Sequence, residues 1–185
     1  FVSGLSVVLK RPAFEVPDGI SITFDPSKDF VTTLPDGTEI TIPGGAANVS
    51  SDVTTIRLVV TPTAKGLDKS GTEKPADYAY SMELFDDKGK EIEGNFKKDV
   101  IIRIPVDVEA FRSKGINLNS LEGMYYSTTK NAWAKAKTST FDQESAKLTM
   151  TTDHFTDNAV VGSTAQSDLV EDANTSSLAG YDNWY

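Results

Sequence analysis

Apolar and polar residues alternate with a period of two along most of this chain. Residues 6–9, 20–24, 38–42 and 54–60 are short β-branched runs of this kind, and residues 78–85, 100–105, 124–127, 132–136, 147–151 and 159–161 continue the series. A pleated strand points successive side chains to opposite faces, so this pattern arises where one face is buried and the other is wet. Breakers close the runs at Pro12, Pro26, Pro43-Gly44-Gly45 and Pro62. Asp36-Gly37 and Asp87-Lys88-Gly89 fall between alternating runs and supply residues that tolerate the positive φ of a hairpin turn. Turn signals spaced by about 8–12 residues are those of an antiparallel sandwich. Residues 107–112 read as an ordinary crossover between strands. A short helix there, with Asp107 as N-cap and Gly115 just past its end, is the alternative. The expected fold is all-β: an antiparallel β-sandwich, as two packed sandwich units in tandem.

Two stretches break the alternation. Residues 64–75, with Gly66, Asp68, Lys69, Ser70, Gly71 and Lys74, form a polar loop that reads as a tip or a binding loop. Residues 163–185 carry Asp168, Glu171, Asp172 and Asp182 with no Lys or Arg, which is the composition of a solvated linker. Leu178, Tyr181, Trp184 and Tyr185 are costly to leave in water, so an arm that docks on another subunit is the second reading. The organisation expected is an N-terminal set of strands or an arm over 1–30, a β unit over 31–98, a second over 99–162 and an acidic tail over 163–185.

Charge and composition then remove whole classes of function. With 18 Lys and Arg against 27 Asp and Glu, the chain of 185 residues has a net charge of −9. Nucleic acid and anionic membrane surfaces need clustered cations, so neither is an expected partner. There is no cysteine and one histidine, which removes disulfides, thiolate zinc, a cysteine nucleophile and any histidine-rich metal centre. No run approaches the ~20 apolar residues of a membrane-spanning helix, and residues 1–5 lack the charged start and apolar core of a signal peptide. An opening Phe1 fits a chain that begins after processing or inside a longer protein, and both suit export.

Two separated pieces of the chain resemble one known arrangement. Leu34-Pro35-Asp36-Gly37-Thr38-Glu39-Ile40-Thr41-Ile42-Pro43-Gly44-Gly45-Ala46, followed by the apolar run 54–60, is similar to the opening of ZU5-type domains. Ile104-Pro105, Gly115-Ile116-Asn117, Ser120-Leu121, Met124-Tyr125-Tyr126, Trp133 and Asp153-His154-Phe155-Thr156 resemble the UPA-like half that often follows. Together they cover about two thirds of the chain. The resemblance implies β-sandwich modules of the kind found in death-domain adaptors, netrin receptors, ankyrins and large bacterial surface proteins.

It also implies one reaction. FIIND domains, which are ZU5-UPA pairs, and the autoproteolytic domain of a nucleoporin cut themselves at His-Phe-Ser. Here the tripeptide is His154-Phe155-Thr156. The Thr156 oxygen would attack the Phe155 carbonyl, the amide would become an ester, and water would hydrolyse it. The step needs an activated hydroxyl and a twisted peptide, with His154 as base or turn former. Thr attacks less freely than Ser because its χ1 is restricted. The same tripeptide also serves as a turn that closes a sandwich, and that is the expected role.

Other constellations point to packing. Asp25 with Asp29, and Asp86, Asp87 and Glu91, offer carboxylates, but neither set has calcium-loop spacing and lysines interrupt both. Tyr78, Tyr80, Tyr125, Tyr126 and Trp133 have the makings of a sugar platform; alternation separates Tyr125 from Tyr126, and core packing is their expected role. Asn48 and Asn174 open Asn-x-Ser sequons. The expected protein is thus a non-catalytic structural or interaction module of an exported cell-surface or extracellular assembly, such as a filament or adhesin. It is expected to need no cofactor or metal and to have protein partners. Copies of itself, joined through residues 3–9 or the tail, are among them. A self-cleaving module cutting Phe155-Thr156 and a carbohydrate- or protein-binding module are the alternatives.

Overall fold

A computed structural model describes residues 19–62, 73–127 and 129–163, with side chains left aside at 62 and 73–79. The expected strand at 3–9, most of the 64–75 loop, the tail beyond 163 and Asn174 lie outside the described residues.

Among the described residues eleven strands form in chain order: β1 (Ile20–Phe24), β2 (Phe30–Thr33), β3 (Glu39–Ile42), β4 (Ile56–Pro62), β5 (Glu73–Asp86), β6 (Val100–Pro105), β7 (Glu122–Ser127), β8 (Ala132–Lys135), β9 (Thr138–Asp142), β10 (Lys147–Thr152) and β11 (Asp157–Ser163). One sheet has the order β1-β4-β5-β11-β7-β8 and the other β2-β3-β6-β10-β9, with antiparallel pairing in every ladder. The sheets face each other across one core. Ile40 and Ile42 of β3, Ile102 and Ile104 of β6 and Leu148 and Met150 of β10 meet Leu58 and Val60 of β4, Met82 and Leu84 of β5 and Val160 of β11. The chain is therefore an all-β sandwich.

The two expected units are joined edge to edge, rather than each closing its own sandwich. The first half supplies β1, β4 and β5 to one sheet and β2 and β3 to the other, and the second half supplies the rest. Both sheets run across the seam, through β5–β11 on one face and β3–β6 on the other. Residues 19–30 belong to this fold, since β1 pairs with β4 along its whole length.

Two strands have weak sequence signals. β2 is a four-residue edge strand with Val31 64% exposed, and β9, Thr138-Ser139-Thr140-Phe141-Asp142, holds a single apolar side chain. Each is an edge strand that needs apolar residues on one face only. Glu73–Pro75, expected in the polar loop, lie in β5, where Pro75 and Lys74 pair with Val161 and Gly162 of β11. The crossover at 107–112 does contain a helix, α1 (Val108–Ser113), whose Ala110 N donates to the Asp107 side chain; Gly115 follows at φ +68°.

Where the turn chemistry was readable, it holds. Gly37 takes φ +87° between β2 and β3, and Gly89 takes φ +79° after β5, conformations that a side chain disfavours. The β2–β3 turn is sealed inside: Leu34, Asp36 and Thr38 are buried. Asp36 accepts from Thr38 N (2.9 Å), Thr38 Oγ1 (2.8 Å) and the hydroxyl of Tyr80 on β5.

Candidate functional site

The last strand determines where a site forms. β11 lies in the middle of the six-stranded sheet, between β5 and β7, and six of its seven residues are buried. Its first pairs are Asp157 with Ser81 on β5 and Asn158 with Tyr125 on β7. Beyond those pairs β5 continues to Asp86 and β7 to Ser127, but no strand lies between them. Residues 153–156 turn away there to reach β10 in the other sheet. The sheet is thus split, leaving a notch of about 680 Å³ lined by Glu83, residues 91–95, Tyr125, Tyr126, Ser127, Thr129 and residues 153–156. That volume is in the range of small-ligand clefts.

His154, Phe155 and Thr156 all line the notch, but their side chains engage different partners. Nδ1 of His154 donates to Asp153 Oδ1 at 2.8 Å, and its ring meets Tyr125 edge to face with centroids 4.5 Å apart. This hydrogen bond holds the Asp153 carboxyl below the usual carboxylate range. Phe155 packs edge to face on Phe96 at 4.9 Å, and Phe96 N donates to Asp153 O. Thr156 Oγ1 donates to the Tyr126 carbonyl at 2.9 Å. The Thr156 carbonyl accepts from Met82 N (3.2 Å) and Asn158 Nδ2 (2.7 Å). Thr156 therefore ties β7 to β5 at the point where β11 begins.

An attack by Thr156 on Phe155 needs a base on the hydroxyl. A carbonyl oxygen, the partner that this hydroxyl has, is a poor base. No residue of the tripeptide has a positive φ: the non-glycine residues with positive φ among those described are Asn131 and Ala146, both in hairpin turns.

The remaining candidates have local employment. Asp25 accepts from Ser27 N and Oγ, bonds that pull its carboxyl down to about 2, and Asp29 accepts from Gly44 N. Asp86 Oδ1 accepts from Lys88 N and Lys90 N inside the turn. Among the described residues no three His, Cys, Asp or Glu side chains converge to hold a metal ion. Tyr80 is in the core. Tyr126 stands edge to face with Trp133 at 5.7 Å, and its hydroxyl donates to Asn131. The side chain of Tyr78 lies outside the described set. Asn48 is exposed.

Glu83, Glu93 and Asn95 line the notch without having been singled out in the sequence, beside Glu91, which had been weighed only as a calcium ligand. They come from β5 and the segment after it, some 60 residues before the His-Phe-Thr turn, and no spacing rule connects them. No protein-family model matches the chain, and no curated protein sequence is significantly similar to it. No helix among the described residues is long and apolar enough to cross a membrane.

Proposed function

We propose that the chain is a non-catalytic structural and interaction module of an exported surface assembly, and that its His-Phe-Thr turn acts as a closure. The observation that carries this reading is the bonding of Thr156. Its hydroxyl is committed to the Tyr126 carbonyl and its own carbonyl to Met82 and Asn158, so one residue fastens the split sheet on both sides. His154 is held by Asp153 and Tyr125 instead of serving Thr156.

A rigid building block suits this construction, because the halves are locked through both sheets and the final strand is paired on both edges. The absence of cysteine and the acidic net charge are compatible with an exported location. The resemblance to tandem ZU5 and UPA units supports the same role, since such units are modules of larger assemblies.

The test is the intact mass of the purified chain under denaturing conditions, beside a Thr156→Ala variant. One species at the mass of the whole chain is expected for both. Two fragments from the natural chain, ending at Phe155 and starting at Thr156, with the variant uncut, would replace closure with self-processing.

A further inference from the structure

We infer that the outer face of the six-stranded sheet, at β11 and β7, is a docking surface for the chain's own C-terminal arm, residues 164–185, seated through its apolar and aromatic end. The starting point is an apolar row that points away from the interior of the sandwich. Val160 of β11 belongs to the core, and Gly123 of β7 faces Met150 of the other sheet. Alternation therefore turns Asp157, Ala159 and Val161 of β11 and Met124 of β7 to the outside. Ala159 pairs with Met124 across the two strands. Tyr126 and Trp133, paired in register and set edge to face, continue the same side onto β8.

An outward row on a sheet is ordinarily wet. This one is dry: Ala159 is 0%, Val161 2% and Met124 4% exposed, although none of the three belongs to the core cluster. No described strand or helix supplies the cover. β5 and β7 flank β11 within the sheet, and the segment after α1 lies on the inner side, where Ile116 and Leu121 close on Gly162. The burial exists within a single chain, so the cover is part of that chain.

Of the longer segments outside the described residues, the C-terminal arm fits best. It leaves β11 itself at Ser163, whose carbonyl accepts from Asn117 N and whose N donates to Ser120 Oγ, so it starts at one end of the row. Its Leu178, Tyr181, Trp184 and Tyr185 are costly to leave in water. Residues 1–18 join at Gly19 before β1, three strands away across the sheet, and residues 63–72 hold one large apolar side chain, Leu67. Docking here goes beyond the closure role, and the chain can remain uncut whether the arm is seated or free. A seated arm occupies the aromatic residues of the tail within one copy, so copies of the module meet through other surfaces.

The chain's three methionines form a built-in footprint: Met82 and Met150 are core residues, and Met124 lies in the outer row. The experiment oxidises the native full chain with peroxide and follows each methionine by peptide mass. All three should be protected. Combining Leu178→Ser, Tyr181→Ser, Trp184→Ser and Tyr185→Ser should raise the Met124 rate about tenfold or more and leave Met82 and Met150 protected. A nitroxide on Asp182→Cys, the sole thiol of that variant, should broaden the Met124 methyl signal and continue to do so in excess unlabelled chain. The label reads the natural aromatic end, so it decides even where the Ser variant loses its fold. Met124 still protected in a folded Ser variant, no broadening at Met124, or broadening lost in excess unlabelled chain, which would seat the arm on another copy, would each overturn the inference.

Discussion

The β2–β3 turn and the β10–β11 turn use the same kinds of residue and end in opposite conditions. Each sets an Asp and a Thr near an aromatic ring: Asp36, Thr38 and Tyr80 in one, Asp153, Thr156 and Tyr125 in the other. In the first, Asp36 is 8% exposed and accepts from the Thr38 amide, the Thr38 hydroxyl and the Tyr80 hydroxyl. In the second, Asp153 is half-buried, and the turn lines an open notch. The residues do not make this difference. The first turn is capped by the long, continuous β5, whereas the second lies where β11 stops short and its neighbours run on. A plug and a site are thus built from one vocabulary, and strand length chooses between them.

The largest effect expected is at the plug. Asp36→Ala removes the buried acceptor that serves the Tyr80 hydroxyl, the Thr38 amide and the Thr38 hydroxyl, and stability to urea should fall by about 3 kcal/mol. A loss similar to that of Asp153→Ala would mean that both turns are structural to the same degree.

Gly123 tests how closely the sheets approach beside the notch. A Cβ there would lie 2.8 Å from Met150 Cβ of the facing sheet, so Gly123→Ala should cost about 1–3 kcal/mol in the same measurement. A neutral result would show that the sheets near β7 separate easily.

At the closure itself the cost should be smaller. Thr156→Val removes one hydrogen bond to the Tyr126 carbonyl, worth about 1 kcal/mol, and Thr156→Ser should restore most of it. Denaturant midpoints for the three proteins check this, and a Ser variant as weak as the Val variant would show that the methyl group matters more than the hydroxyl.

The smallest effect concerns pH. The folded carboxyl of Asp153 is depressed, so its contribution is complete above the ordinary value near ~3.9 and is lost as pH falls through the lower folded value. Asp153→Asn should therefore flatten the acid limb of the stability curve below about pH 4 and leave neutral stability almost unchanged, because the group is well solvated. Melting temperatures between the acid limit and neutrality would show it, and an unaltered acid limb would assign acid sensitivity elsewhere.

Much of this molecule was legible before any coordinates. Ile20-Ser21-Ile22-Thr23-Phe24 and Val100-Ile101-Ile102-Arg103-Ile104 announce strands, since a half-buried strand has no other way to be written. Asp87-Lys88-Gly89 announces its turn through the positive φ that glycine permits. The polar edge β9 was silent because its partner β10 supplies most of the burial. His154-Phe155-Thr156 was visible as a tripeptide, but its bonding was not, because Tyr126, Met82 and Asn158 reach Thr156 from two other strands.

By itself the sequence determined the all-β character, the hairpin turns and the net negative charge, because alternation, φ preference and ionisation are properties of single residues and near neighbours. Only the tertiary structure decided that β11 enters between β5 and β7, that both halves share both sheets, and that Glu83, Glu93 and Tyr125 face one notch with His154. Strand order and register come from pairing between segments far apart in the chain, and the energy that selects one pairing over another lies in the assembled core rather than in any one strand.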